Sequence, residues 1–347
     1  MHPVPALSNA QPLDIPRKLR SDWTPINYDL RDAWFPVSHS RDVGARPIRR
    51  IVHSQPYYLW RENGQPKAAE FHPERLQALR QATSAFTGGS GFYPVVERYG
   101  YIWAWYGNPD AADALLLPHI PFLPIDGDIP GYTQRTVRFD ASSALSVENL
   151  IDLTHADFLH ANTIGDGISD SDVVEVEWTS ETVTRTRTVA HKSVAPIMRW
   201  VGGVRAKFQD FRAVLHIHLR SNVCVSYPRF RPGYDVPNLQ PFLPVGKYRS
   251  RCDVTFNTTA APAPFRYVMP RINYIIQPQD NSVVRPQNQR YFEQSERRDM
   301  HSRFDTPGTR YRYQMEQLAE RQRQGDFAYG SDAEPGRDIS KLLGMDD

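Results

Sequence analysis

Cysteine is scarce in this sequence: Cys224 and Cys252 are the only two among 347 residues. That excludes a disulfide scaffold and any site built from four thiolates. Long hydrophobic runs are missing as well, and no stretch reaches the roughly 18 apolar residues that a membrane-spanning helix requires. No sign of charge dominates, since 41 Lys and Arg face 39 Asp and Glu for a net charge of +2. The chain therefore offers no electrostatic case for nucleic acid or an anionic membrane surface. The N-terminal stretch contains Pro3, Pro5 and Pro12 but no apolar core, so it does not read as a signal peptide. What remains is 40% hydrophobic and 23% charged, ordinary values for a globular chain long enough to bury a sizeable core. A soluble, cytoplasmic protein of one large domain or two ordinary ones is expected.

Proline is abundant, at 29 residues, and cuts the chain into short pieces. Tyr57-Tyr58-Leu59-Trp60 runs into Arg61-Glu62-Asn63-Gly64, and Asn-Gly is a strong hairpin signal. Residues 101–106 form a second aromatic strand, and residues 73–82 look helical. From 142 to 160 the apolar positions recur at helical spacing. Residues 173–189 then alternate with period two, with Ser180-Glu181 as a turn between two strands. Further strands are expected at 213–219, 223–227, 251–256 and 267–276, and a charged helix at 307–323. Gly88-Gly89-Ser90-Gly91 lacks the Lys of a phosphate loop and reads as a flexible turn. Strands in one run with helices at both ends argue an α+β fold, an antiparallel sheet with helices on one face, preceded by a smaller β unit.

The chemistry concentrates in Glu148-Asn149-Leu150-Ile151-Asp152-Leu153-Thr154-His155-Ala156-Asp157-Phe158-Leu159-His160. Asn149, Asp152 and His155 are three apart, so a continuous helix would put them on one face. His155 and His160 are five apart, about 140° around an ideal helix. Ligation of one ion by both needs a bulge, or the helix ending between them. Asp152 is placed to accept the second ring N–H of a liganding imidazole. Two imidazoles and a carboxylate make the facial triad of non-haem iron(II) oxygenases. Asp280 is the candidate carboxylate, expected after a strand and at the start of a helix, with Glu293 and Asp299 downstream as rivals. The bland reading is that two histidines near an Asp are simply polar residues of a helix. His216-Ile217-His218 puts two more imidazoles on one strand face, most simply as a polar face or pocket lining.

Asn-x-x-Asp-x-x-His-x-x-x-x-His followed by Ala161-Asn162-Thr163-Ile164-Gly165 resembles the iron-binding segment of Rieske-type non-haem iron oxygenase large subunits. The nearest branch is that of the vanillate O-demethylases and N-demethylases. Trp34-Phe35-Pro36-Val37 resembles the family's opening strand, and Glu97-Arg98-Tyr99-Gly100 through Pro109 the strand closing its Rieske domain. Gln279-Asp280 with Val283-Val284 resembles the carboxylate segment, and residues 305–318, with Tyr311-Arg312, the closing helix. The resemblance implies an N-terminal extension (1–22), a Rieske-like β domain (23–125), a helix-grip iron domain (126–324) and a flexible tail (325–347). It implies His155, His160 and Asp280 as ligands of one Fe(2+), Asp152 as orienter and electron bridge, and Asn149 near the iron at non-bonding distance. Oligomers, typically head-to-tail trimers, are also implied.

One part of the family pattern is missing. A Rieske cluster takes two thiolates and two imidazoles, which this family supplies as Cys-x-His and Cys-x-x-His before the Glu-Arg-Tyr-Gly strand. Here that interval holds no cysteine, and its only histidine is His72. A [2Fe-2S] cluster is therefore expected in trans, on a Rieske-cluster-bearing protein or paralogue fed by an NAD(P)H-linked reductase. The expected activity is O2-dependent hydroxylation or oxidative O- or N-demethylation of a small aromatic or heterocyclic substrate. Alternatives are a non-catalytic structural subunit of a hetero-oligomer, or iron chemistry that needs no external electron. Trp178, Trp200, Phe208, Phe211, Tyr227 and Phe230 are the candidate pocket aromatics.

Overall fold

A computed structural model describes residues 28–82, 91–152, 154–165, 172–293 and 305–345. The expected N-terminal extension and most of the Gly88–Gly91 turn lie outside the described residues. Asn63 and Gly64 have φ of 51° and 80°, the left-handed pair a tight two-residue hairpin demands. They join β3 (Gln55–Glu62) to β4 (Gln65–Ala69), with Glu62 paired to Gln65. β2 (Ile48–Val52) completes this sheet in the order β2-β3-β4. A second three-stranded sheet has β6 (Tyr101–Tyr106) between β1 (Ala33–His39) and β5 (Val95–Arg98). Phe35, Val37, Tyr57, Leu59, Ile102 and Ala104 share one buried core drawn from both sheets. Helix α1 (Pro73–Ala82) follows β4.

The main sheet is antiparallel and seven-stranded, in the order β7-β13-β12-β11-β10-β9-β8. Its strands are β7 (Gln134–Phe139), β8 (Val173–Trp178), β9 (Thr182–Ser193), β10 (Phe208–His218), β11 (Val223–Arg231), β12 (Asn238–Gly246) and β13 (Arg249–Phe256). Sequence periodicity misses β12, because Pro241 and Pro244 demote a strand that is in fact central. The strand expected at 267–276 is helical. Those residues fall in α5 (Ala263–Val268), a 3₁₀ turn (Met269–Ile272) and the start of α6 (Asn273–Glu293). A short apolar run without alternation carries too little periodicity to separate the two states.

Both faces of this sheet are covered. On one, Leu215, Ile217 and Leu219 join Leu145, Val147 and Ile151 of α2 (Ser143–Ile151) and Tyr311 and Met315 of α7 (Thr306–Arg323). Arg312 of α7 reaches Glu148 Oε2 at 2.6 Å, and Tyr311 donates to Asn222 Oδ1 at 2.8 Å. On the other face Val214, Val223, Val225 and Leu239 pack with Trp34, Trp103 and Trp105 of the small β unit. The tail corrects the expectation of flexibility, because residues 325–345 lie against this second face. Ile339 and Leu343 are buried there, each contributing on the order of 1.5–3 kcal/mol. Arg220 donates to Phe327 O at 2.7 Å and Ala328 O at 2.6 Å, and Arg212 to Leu343 O at 2.9 Å.

Candidate metal centre

Two helical segments bring the site together. Helix α2 opens with Ser142 as N-cap, its Oγ accepting from Leu145 N. It ends at Ile151; Asp152, with φ −81° and ψ 81°, leaves the helical conformation. Helix α3 (Thr154–Leu159) then starts afresh, and His160 stands on the turn that closes it. The break therefore separates Asn149 and Asp152 from the helix that carries His155. The helix end at Leu159 supplies the interruption that the spacing of His155 and His160 requires. The next turn folds tightly back: the N–H groups of Thr163, Ile164 and Gly165 all point to His160 O. A Cβ on Gly165 would stand 2.1 Å from Ala156 O, so only glycine fits.

Asp280 comes from α6, as its eighth residue rather than at its start, and α5 and a 3₁₀ turn rather than a strand lead into that helix. Amide side chains bolt this helix down. Gln277 and Asn281 donate to Arg138 O, Asp140 N donates to Asn281 Oδ1 at 3.0 Å, and Ser142 N to Asn288 Oδ1 at 3.0 Å. The Asn/Gln content of residues 277–289 is the sequence signal for these anchors, since such side chains satisfy main-chain groups at element ends.

His160 Nε2 lies 3.0 Å and His155 Nε2 3.4 Å from Asp280 Oδ1. The imidazole rings are 5.3 Å apart and inclined by 79°. One ligand atom from each residue falls within 4.8 Å of the others, and no second group of three metal-capable side chains occurs among the described residues. Of the rival carboxylates, Glu293 ends α6 and Asp299 lies outside the described residues. His160 Nδ1 bonds Gln279 Oε1 at 2.7 Å. His155 Nδ1 meets the main-chain carbonyl of Asp152, which corrects the expectation of a carboxylate acceptor. The helix break turns that carbonyl, which a continuous helix would commit along its axis, toward the ring.

Burial acts to raise the Asp280 carboxyl, but bonds from His155 and His160 more than offset it and hold it at about 2. Burial acts to lower His160, yet Asp280 and Gln279 outweigh it and raise the imidazole. His160 and Asp280 thus favour one another's charged forms, and a cation between the ligand atoms would take the place of that attraction.

These groups open on a cavity of about 180 Å³ between the sheet and the helices, lined also by Asn149, Phe139, Phe211, Phe230, Phe242 and Phe256. Of the six aromatics expected there, only Phe211 and Phe230 line it. Trp200 is 81% exposed, and Trp178 lies under the Arg310 guanidinium at 3.7 Å. Phe208 stacks on His191, and Tyr227 belongs to the core on the opposite face of the sheet. A charged cluster missed by sequence reasoning forms one wall. Lys192 Nζ donates to Asp157 Oδ1 at 2.6 Å, while Arg187 bonds Asp157 and, at 2.6 Å, Asp172 Oδ2. Its sequence signal is the alternation Val183-Arg185-Arg187-Val189, a face that carries two arginines and is buried throughout.

His216 and His218 lie on the other face, beside the aromatic unit. His216 Nδ1 is 2.8 Å from Thr184 Oγ1, and burial pushes the ring down to about 4. The two thiols are buried in the helix-side core of the main sheet.

Comparison with known proteins gives the chain a family and a shared fold. Residues 139–321 match the family described as vanillate O-demethylase oxygenase C-terminal domain. The vanillate O-demethylase oxygenase subunit of a Pseudomonas species is 32% identical over 107 residues, 31% of this chain and 30% of that protein. The dicamba O-demethylase oxygenase component of Stenotrophomonas maltophilia is 26% identical over 165 residues, 38% of this chain and 48% of that protein. The match thus spans less than half the length of either relative. Dicamba monooxygenase bound to 3,6-dichlorosalicylic acid superposes with a TM-score of 0.68 at 16% identity, covering 84% of this chain and 98% of that one. The terminal oxygenase of carbazole 1,9a-dioxygenase from Nocardioides aromaticivorans gives 0.53 at 13% identity, with 86% and 96% covered. At such identities the likeness shows a shared fold.

Proposed function

This chain belongs to the vanillate O-demethylase oxygenase family, and from that premise we propose that it is a mononuclear non-haem iron oxygenase component that takes its electrons from a separate protein. The reaction is O2-dependent hydroxylation or oxidative O- or N-demethylation of a small aromatic or heterocyclic substrate. The observation that carries this reading is the convergence of His155, His160 and Asp280 from segments 120 residues apart in sequence.

The donor set fits iron: two imidazoles and one carboxylate on one side of a metal leave the remaining positions to other ligands. Bound there, iron would supply dioxygen activation and one-electron redox chemistry. The chain's own residues do the rest. His155 and His160 offer neutral imidazoles, each held by an acceptor at Nδ1, and Asp280 offers the anion. Asn149 faces the same cavity and orients a water or ligand. Asp152, at the break between α2 and α3, holds His155 through its carbonyl and gives the incoming electron a short route to it. Phe211 and Phe230, with ring centroids 4.9 Å apart, form an apolar wall suited to a flat substrate and keep water out.

Electron supply in trans is supported by the cysteines. The region equivalent to a cluster domain has none, and Cys224 and Cys252 are buried in the other core. We assign the supply to a Rieske-cluster-bearing protein or paralogue with an NAD(P)H-linked reductase, working with an oligomer of this chain.

Anaerobic purification with measurement of iron, acid-labile sulfide and the visible spectrum tests this. One iron per chain without sulfide, and turnover only with an added Rieske donor, are expected. Little iron after Fe(II) reconstitution would leave a structural subunit. Turnover without any donor would leave iron chemistry that needs no external electron.

A further inference from the structure

We propose that Gln279 is a positioning residue of the metal centre, whose neutral amide oxygen fixes the ring orientation and tautomer of His160. The inference rests on the reading that His155, His160 and Asp280 bind iron. An imidazole can present only the nitrogen that does not carry its proton, and the bond made by the other nitrogen decides which one that is. Here Gln279 Oε1 stands 2.7 Å from His160 Nδ1, and Asp280 Oδ1 stands 3.0 Å from His160 Nε2.

Consecutive residues of α6 therefore take opposite ends of one ring. Side chains one residue apart diverge by about 100° on a helix, so Gln279 and Asp280 can straddle the imidazole from a single turn. Rotation of the ring breaks both contacts. The amide must also point its oxygen at the ring. With its NH2 group there instead, the imidazole proton would move to Nε2, the nitrogen that faces Asp280, and ligation at that nitrogen would be lost.

The choice of an amide over a carboxylate carries a consequence. A carboxylate at this place would pull harder on the Nδ1 proton, make the ring a stronger donor, and favour the ferric over the ferrous state. A glutamine orients His160 without that bias, and so helps keep the site reducible by an external donor.

The experiment uses the full chain, stripped of metal and titrated anaerobically with Fe(II), with Co(II) as a spectroscopic probe and far-UV circular dichroism as a check of folding. Gln279→Met, which keeps the length and loses the acceptor, should weaken Fe(II) binding about 10–100-fold. Gln279→Glu should bind Fe(II) at least as well as the parent while lowering the Fe(III)/Fe(II) midpoint potential. A folded Gln279→Met protein with parental Fe(II) affinity overturns the proposal, and so does an unchanged potential in Gln279→Glu. Should the methionine variant fail to fold, the potential of the glutamate variant decides alone. A parent chain that binds neither metal refutes the iron reading itself, an outcome distinct from the failure of Gln279.

Discussion

His160 and His216 are buried imidazoles on opposite faces of one sheet, and their basicities move in opposite directions. Burial lowers both, but His160 faces Asp280 and Gln279 and is raised, whereas His216, beside a threonine hydroxyl, falls to about 4. The same contrast runs along the whole sheet. On the cavity face, Asp157 pairs with Arg187 and Lys192, and Asp172 with Arg187. On the face toward the aromatic unit His216, and within that unit His39 and His53, are pushed down to about 4, mainly by burial. Burial alone makes a group neutral and inert. Burial with a dedicated partner keeps it charged and able to bind. The proposed metal centre sits where the second condition holds.

The most direct way to break the comparison is to remove the partner. Asp280→Ala should abolish Fe(II) binding, read as iron per chain after anaerobic reconstitution, and with it all turnover. Binding within threefold of the parent would show that the cluster of two imidazoles does not depend on its carboxylate. Asp152→Asn preserves the main-chain carbonyl that meets His155 Nδ1, so iron content should stay at the parental level while donor-dependent turnover falls steeply. Equal turnover in the two proteins would refute the electron-bridging role of Asp152.

Asp157 tests the charged wall. Truncation to alanine removes the carboxylate that pairs with the buried Lys192 and one of the two that pair with Arg187, a change that costs roughly 3–5 kcal/mol in urea denaturation. Because Asp157 lies on α3 between His155 and His160, Fe(II) affinity should fall as well. A loss below about 1 kcal/mol would place the cluster in effective contact with solvent.

The opposite face should announce itself by pH. His39, His53 and His216 stay neutral in the fold at pH values where the unfolded chain binds protons, that is, below about 6.5. Stability is then fully present above pH 6.5 and falls as pH drops toward 4, where the folded imidazoles finally protonate. For His216, at a folded value of about 4, the loss is on the order of 3 kcal/mol. His216→Gln should remove about one proton from the slope of stability against pH between 6 and 4.5. An unchanged slope would sink the claim that this imidazole is held neutral.

How much of this was legible in the sequence depends on distance along the chain. The Asn63-Gly64 hairpin and the period-two run of β8 and β9 are local, and the residues declare them. His155 and His160 declare a spacing but not a geometry, and Asp280, 120 residues on, is a candidate carboxylate that the sequence does not separate from Glu293 and Asp299. Gln279 gives no signal of its own, because its partner is 119 residues away. Arg185 and Arg187 mislead, since alternation marks two faces without saying that the one carrying the arginines is buried. Pro241 and Pro244 hide β12 for a local reason that the neighbouring strands overrule. The tail looks loose because its Gly, Asp and Glu content conceals Ile339 and Leu343, which matter only once the sheet offers them a surface.

The smallest effect sharpens the comparison from outside it. Trp200 reads from the sequence as a pocket aromatic, but it ends α4 (Pro196–Trp200) on the surface, 81% exposed, and lines a shallow outer groove with Ile275 instead of the cavity. A side chain that buries so little apolar area has little stability to give up. Trp200→Ser should therefore change unfolding free energy by no more than about 0.5 kcal/mol and leave Fe(II) binding and the affinity of any cavity ligand as they are. Phe211→Ala, which widens the cavity and removes one half of the Phe211–Phe230 wall, should weaken a bound aromatic ligand. If the two variants exchange these behaviours, the cavity is walled differently from the description given, and the substrate surface lies on the outer groove. That outcome would move the recognition of substrate, though not the metal, to the other side of Ile197 and Ile272, which border both spaces.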